Sequence, residues 1–326
     1  MQAWVIKRPG NNSAFTQEQR TEPAMGPGDI RVRVHAIGVN RADLLQRRGL
    51  YPAPAGVSPD IPGLEYAGIV EAVGSAVQSY AAGDRVMGLV GGGAYAEQVV
   101  VNECEAIPVP AALSFAEAAA VPEAFLTAYR ALFLEGGLQP GGWCLLRAAR
   151  SSVGIAGIQL ARALGARVIA SGRNQARLAY LERWDPELVH GDDQGPLPEA
   201  VRAAAPAGVD VALDLVGGGH LGETMQCLRP GGTQVVAGLL AGTEDSLDMA
   251  RLLFHGLTLR AMTMRSLALD ERIRMARLFH QRLTPLFQTG RLEPVVDRIL
   301  NWGEAPEAHE IMQRGEHTGK IVLGVG

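Results

Sequence analysis

The stretch Leu145-Leu146-Arg147-Ala148-Ala149-Arg150-Ser151-Ser152-Val153-Gly154, running into Ile155-Ala156-Gly157-Ile158-Gln159-Leu160, constrains this chain more than any other. Apolar residues lead into a run of small ones and then into an amphipathic helical pattern. That order predicts the first strand, tight turn and helix of a dinucleotide-binding unit. Backbone N–H groups and the positive helix end at such a turn hold a pyrophosphate. Ala149 and Ser152 replace two of the three glycines expected there, so the motif draws its weight from the segments downstream of it.

The hydrophobic period changes along the chain. Residues 1–120 alternate short apolar runs with turns such as Gly26-Pro27-Gly28-Asp29 and Ala82-Gly83-Asp84. Strands are predicted at 30–38, 68–73, 84–89 and 94–101, a mainly antiparallel β unit. Helical patterns begin at 115–121 and 123–135. Strands at 143–148, 167–171, 188–190, 209–215, 234–238 and 258–263 then alternate with helices at 154–164, 175–183, 197–205 and 221–228. This βαβ array implies a parallel, doubly wound sheet. A helical pattern over 270–289 leads to a last strand in Gly319-Lys320-Ile321-Val322-Leu323, which suits the first β unit. The expected fold class is therefore α/β, a Rossmann sheet inserted into a discontinuous β domain. The expected boundaries are 1–121 with 266–326, and 122–265.

Composition closes off several classes. A net charge of −4 offers no basic field for nucleic acid. No apolar run reaches the roughly 18 residues of a membrane span, and Met1–Lys7 lacks the pattern of a signal peptide. Cys104, Cys144 and Cys227 are odd in number and far apart. They predict reduced thiols and a cytoplasmic protein, with no C-x-x-C metal site.

The residue ending the second strand of a dinucleotide fold reads the adenosine ribose. An acid there accepts from the 2′-OH of NAD; basic and hydroxyl groups suit the 2′-phosphate of NADP. The segment Val168–Arg177 has no acid but offers Ser171, Gly172, Arg173 and Arg177, so NADPH is expected. Further strand ends at Asp214-Leu215-Val216-Gly217-Gly218 and Val236-Ala237-Gly238-Leu239-Leu240 carry small residues that permit close backbone approach.

Several blocks together resemble a known family. They are Asn40-Arg41-Ala42-Asp43-Leu44-Leu45-Gln46-Arg47-Arg48-Gly49-Leu50-Tyr51-Pro52, Pro62-Gly63-Leu64-Glu65-Tyr66-Ala67-Gly68, Gly91-Gly92-Gly93-Ala94-Tyr95-Ala96-Glu97, Ala119-Ala120-Val121-Pro122-Glu123-Ala124, Val295-Val296-Asp297-Arg298 and Gly319–Leu323. The chain is similar over nearly its whole length to the zinc-free, zeta-crystallin-like quinone oxidoreductases of the medium-chain dehydrogenase/reductase superfamily. The branch induced by a tumour suppressor in animals is the one it most resembles. The resemblance implies a GroES-like catalytic domain around the Rossmann domain, NADPH, and a homodimer joined along Rossmann sheet edges. Zinc-dependent relatives have Cys where this chain has Asn40 and His-Glu where it has Leu64-Glu65, and they carry a four-cysteine loop missing here. No metal is expected.

The same resemblance assigns roles. Asn40 and Tyr51 are the catalytic candidates, Asn40 donating to a carbonyl beside the nicotinamide and Tyr51 stacking on and protonating an acceptor. The cofactor set is Asn40, Thr127, Arg150, Ser151, Ser152, Val153, Gly154, Ser171, Gly172, Arg173, Arg177, Val216, Gly238, Leu239, Leu240, Arg265 and Lys320. Relatives carry Gly at Ala149 and Ser152, often His at Arg147, and Tyr at Gly191. The implied activity is hydride transfer from NADPH to a quinone or other conjugated carbonyl. The alternatives are an enoyl reductase acting on α,β-unsaturated thioesters or ketones, and a non-catalytic NADPH-binding sensor.

Overall fold

The computed structural model describes residues 1–10 and 13–326. Contacts divide the chain into two units, Met1–Glu123 with Met264–Gly326, and Ala124–Thr263.

The first unit opens with a hairpin, β1 (Gln2–Ile6) against β2 (Phe15–Gln19). β3 (Asp29–Gly38) comes next, with Ile30, Val32 and Val34 turned inward and Arg33 outward, the alternation of a half-buried strand. After α1 (Arg41–Arg47) come β4 (Glu65–Val73), β5 (Arg85–Leu89), β6 (Gln98–Asn102) and β7 (Ile107–Pro108). The strand expected at 94–101 starts only at Gln98. Its first residues bond elsewhere: Trp4 N–H donates to the Tyr95 carbonyl (2.8 Å) and Tyr95 N–H to that of Pro62 (2.9 Å). α2 (Phe115–Ala118) is short and capped by Ser114. α3 (Pro122–Tyr129) crosses into the second unit and ends in a π turn over Arg130–Glu135.

The second unit is the βαβ array: β8 (Trp143–Leu146), α4 (Ser152–Ala163), β9 (Arg167–Gly172), α5 (Gln175–Leu178), β10 (Leu188–Gly191), α6 (Leu197–Ala204), β11 (Val209–Asp214), α7 (Leu221–Gln226), β12 (Leu228–Val236), α8 (Met249–Phe254) and β13 (Thr258–Ala261). All six strands are parallel, in the order β10-β9-β8-β11-β12-β13. The order reverses between β8 and β11, where ligands of doubly wound sheets bind at the carboxyl ends. Leu145, Ile169, Ala212 and Leu228 form part of its core.

The chain returns to the first unit through α9 (Leu269–Leu278), a π turn (Phe279–Leu283) and α10 (Thr284–Gln288). The single helix expected over 270–289 is thus interrupted just before Pro285, which has no N–H to donate. β14 (Val296–Asn301), α11 (Ala305–Arg314) and β15 (Lys320–Gly324) complete the fold. β15 pairs with β3, so the last strand closes a sheet ordered β14-β15-β3-β4-β5-β7, with β6 also on β3. The α/β class with an inserted parallel sheet is therefore as expected. Each domain boundary moves by two residues, because Glu123 and Arg265 bond into the first unit.

Candidate functional site

In the second unit the turn after β8 is built tightly. Ala148 adopts a left-handed backbone (φ 55°). Ala149 N–H donates to the Ser171 carbonyl (2.9 Å). Ser151 caps α4, its Oγ accepting from Gly154 N–H at 3.1 Å. A Cβ on Gly154 would stand 2.6–2.7 Å from backbone atoms of Ala149, so only glycine permits this approach. Ser152 is the first residue of α4 and has no positive φ. Its N–H and that of Val153 lie in the first helical turn, where intrahelical acceptors are lacking. Gly238 is equally constrained, its would-be Cβ 2.7 Å from the Leu215 carbonyl oxygen. Leu239 and Leu240 beyond it are exposed. The buried Asp214 carboxylate, which sequence reasoning passed over, shapes the end of β11: it accepts from Val216 N–H (2.8 Å), Gly217 N–H (3.0 Å) and Gln234 Nε2 (2.8 Å).

Two features fit a dinucleotide here. The glycine-lined cradle is one. The other is Thr127, 6% exposed, whose Oγ1 has no hydrogen-bond partner among the described residues. A helical threonine ordinarily bonds back to its own backbone; this one is left to an outside partner. Ser151 to Gly154 would hold the pyrophosphate.

The adenosine end differs from expectation. Ser171 is fully buried and its hydroxyl donates to the Leu146 carbonyl at 3.5 Å, which removes it from any phosphate. Arg173 and Arg177 are exposed. The β10 loop also delivers an acid that the Val168–Arg177 segment lacks. Asp193 accepts from Gln175 N–H (2.9 Å) and Asn174 Nδ2 (3.3 Å). Gly191 is required beneath it, since a Cβ there would lie 2.4 Å from Gln175 N. Arg147, 2% exposed, donates to Glu223 (2.8 Å) and lies 3.3 Å from His220 Nδ1. Burial alone would raise the Glu223 carboxyl, but the Arg147 hydrogen bond and charge hold it below its ordinary value.

In the first unit a buried network surrounds Asn40. Its Nδ2 donates to Glu65 Oε1 (2.8 Å) and the Gly38 carbonyl (3.2 Å), and its Oδ1 accepts from Lys320 Nζ (2.7 Å). Lys320 also donates to Glu65 Oε1 (2.6 Å), and Glu65 Oε2 accepts from Glu123 N–H (2.8 Å). Gly38 makes room, since a Cβ there would lie 2.2 Å from Glu65 Oε1. This network corrects two expectations. Both amide hydrogens of Asn40 are spent inside the protein, so the amide is not a free donor to a substrate carbonyl. Lys320, 1% exposed, is an internal counter-ion to Glu65 and not a cofactor-facing cation.

Arg265 is corrected as well. It bonds to the Gly91 and Tyr51 carbonyls and to Gln46, all in the first unit, which takes it away from cofactor phosphate. Asp43 is buried and accepts from Asn40 N–H (2.8 Å), Gly63 N–H (3.2 Å) and the Tyr95 hydroxyl (3.2 Å); Tyr95 in turn lies 3.1 Å from His309 Nε2. Burial pushes the Asp43 carboxyl up to about 7, against the pull of Asn40 N–H, Arg265 and Lys320. Burial and Arg47 push His309 down to about 3.

Zinc does not fit the donor set. Asn40 and the buried Leu64 offer neither thiolate nor imidazole. Among the described residues no three His, Cys, Asp or Glu side chains stand close enough to share a metal. No helix among them is long and apolar enough to cross a membrane.

Comparison with known proteins agrees with this architecture. Residues 26–111 match the alcohol dehydrogenase GroES-like domain and residues 152–281 the zinc-binding dehydrogenase family. The chain is 32% identical over 321 residues to the synaptic vesicle membrane protein VAT-1 homolog of Mus musculus, covering 93% of this chain and 78% of that protein. A solved NAD-dependent alcohol dehydrogenase superposes with a TM-score of 0.88 at 29% identity, covering all of both chains. A quinone oxidoreductase of Pseudomonas syringae pv. Tomato DC3000 gives 0.88 at 25% identity, covering 99% of each. The chain is an oxidoreductase of the medium-chain dehydrogenase/reductase superfamily and belongs to its zeta-crystallin-like quinone oxidoreductase family.

Proposed function

We propose that this protein is a zinc-independent, NADPH-dependent reductase of quinones or other conjugated carbonyls. The observation that carries the reading is the Asn40–Glu65–Lys320 network. An ammonium group, and no metal donor set, holds together the positions where zinc-dependent relatives keep their ligands. The dinucleotide, when bound, supplies a hydride to an electron-poor acceptor. The chain's own residues bind, orient and exclude water. Ser151–Gly154 and the glycine turns at Gly217 and Gly238 take the pyrophosphate side, and Thr127 Oγ1 offers a hydrogen bond to the nicotinamide end. The Tyr51 ring stacks on a planar acceptor, and its phenol or a water delivers the proton to the reduced oxygen.

Arg173 and Arg177 support NADPH by charge. Asp193 favours a second reading, NADH, because its carboxylate is seated on the loop after β10, against the segment that succeeds β9. Fluorescence titration with both dinucleotides decides between them. Arg173→Ala is expected to weaken NADPH by about 10-fold and leave NADH within about 2-fold, the loss of one charge-assisted contact. Asp193→Asn is expected to tighten NADPH alone. Equal effects on both cofactors would remove the 2′-phosphate from the account.

The protein would work as a cytoplasmic homodimer joined along β13, without nucleic acid or membrane. The test of activity is NADPH oxidation against a panel of quinones, enones and enoyl thioesters, before and after dialysis against a chelator. Quinone turnover unchanged by the chelator is the expected result. Preference for enoyl thioesters would make the chain an enoyl reductase. No turnover with any acceptor, beside intact NADPH binding, would leave a sensor.

A further inference from the structure

Arg265 is 3% exposed, and its guanidinium reaches three separate segments of the first unit. Nε donates to the Gly91 carbonyl at 2.8 Å, Nη1 to the Tyr51 carbonyl at 2.7 Å, and Nη2 to Gln46 Oε1 at 2.6 Å. The same group lies over the Tyr51 ring, with Cζ 5.1 Å from the centroid. One side chain therefore holds both the backbone and the ring of Tyr51. Its anchors are themselves fixed. Gln46 is buried, and its Nε2 donates to the Pro59 carbonyl at 3.0 Å. The bare backbone at Gly92 leaves room, since a Cβ there would stand 3.3 Å from Nη2.

The geometry needs an arginine. A planar fork can donate along three in-plane directions and still present its face to an aromatic ring. A lysine ammonium has a tetrahedral arrangement on a flexible stem and cannot do both. A surface arginine would not be so completely spent.

We propose that Arg265 is a positioning residue for Tyr51, fixing its ring in the orientation that accepts a planar conjugated carbonyl compound. The proposal rests on the proposed role of Tyr51 at the acceptor. Arg265 itself touches neither acceptor nor dinucleotide.

The test is made on the whole protein labelled with 3-fluorotyrosine. Loss of one ¹⁹F resonance in Tyr51→Phe identifies Tyr51 among the six tyrosines. Arg265→Lys is expected to shift or broaden that resonance and leave the other five in place. Gln46→Met removes only one anchor and is expected to move it in the same direction by less, which keeps the test open should Arg265→Lys fail to fold. In steady-state assays Arg265→Lys should raise KM for a quinone about 10-fold, with the dissociation constant of the dinucleotide within about 2-fold. In a Tyr51→Ala background the same change should add less than about 2-fold, because residues acting through one another are not additive. A Tyr51 resonance unmoved in both variants overturns the proposal. So does an undiminished Arg265→Lys effect without the Tyr51 ring. If the wild-type protein reduces no acceptor, the functional reading fails, while the ¹⁹F shift still decides whether Arg265 holds Tyr51.

Discussion

Asp43 and His309 are two buried titratable groups joined through the hydroxyl of Tyr95, and they bias stability in opposite directions. Asp43 is raised from 3.8 to about 7 in the folded chain, mainly by burial. Between those values the folded protein keeps a proton that the unfolded chain releases. That contribution to stability is complete below about pH 4 and is lost as pH rises through 7. His309 is lowered from 6.5 to about 3, again mainly by burial, with Arg47 adding to it. The unfolded chain takes up a proton that the folded one refuses. This contribution is present above about pH 6.5 and is lost as pH falls towards 3. Over about pH 4–6.5 the two slopes oppose each other. Relative to the wild type, Asp43→Asn should therefore show unfolding free energy rising more steeply with pH in that window. His309→Gln should show it falling from pH 4 to 7. Urea titrations at half-unit pH steps measure both, and parallel pH profiles in all three proteins would refute the opposition.

At the scale of elements, the β8–α4 turn was legible because its constraints are local. Ser151 caps within three residues, and Gly154 is demanded by Ala149 five positions back. Ser152 stands where relatives have glycine, yet it opens a helix and needs no positive φ. Ser152→Gly should accordingly change NADPH affinity by less than about 3-fold, since serine suits a helix N-terminus. Gly154→Ala is the contrasting change. Its Cβ would meet backbone, which cannot swing aside, so it should cost about 1–3 kcal/mol of stability and weaken the dinucleotide at least about 10-fold. Thermal melts and binding titrations of the pair check this; similar behaviour of the two variants would mean that the turn is not under this packing constraint. The rest of the site was hidden because its partners are distant in sequence. Asp193 reaches Asn174 and Gln175 through the β9–β10 pairing, and Glu65 reaches Lys320 through β3 and β15. Spacing carries no trace of such meetings. For the same reason Asn40, Arg265 and Lys320 read as ligand-facing polar residues, whereas each is satisfied by other parts of the protein.

At the scale of the whole molecule, the insertion of one unit into the other was visible as a change of hydrophobic period, and the last strand as a β segment without a neighbour of its own. The β1–β2 hairpin went unseen: β1 is buried at every one of its residues 3–6 and so does not alternate, while β2 is mostly exposed, and the exposed residues of β14 likewise break the alternation. One surface feature bears on assembly. β13 has β12 on one side and ends the sheet on the other, with all four residues exposed. Met249, Leu253 and Phe254 of α8 are 63%, 74% and 81% exposed, and Leu259 of β13 is 39% exposed. An unprotected strand edge with apolar residues nearby is a liability for a monomer in water. A second copy related by a two-fold axis would lay β13 antiparallel to its own equivalent and continue the sheet, and the prediction is that the apolar α8 residues of both copies are covered with it. Sedimentation at micromolar concentration should then give twice the chain mass of 34.6 kDa. Leu253→Asp with Phe254→Asp should give the single-chain mass, because two unpaired carboxylates per copy would be carried into the joined surface. Their dinucleotide affinity should stay within about 2-fold of the wild type, since α8 contributes none of the residues assigned to the cofactor. A monomeric wild type, or a dimer that survives both substitutions, would show that this face serves another purpose.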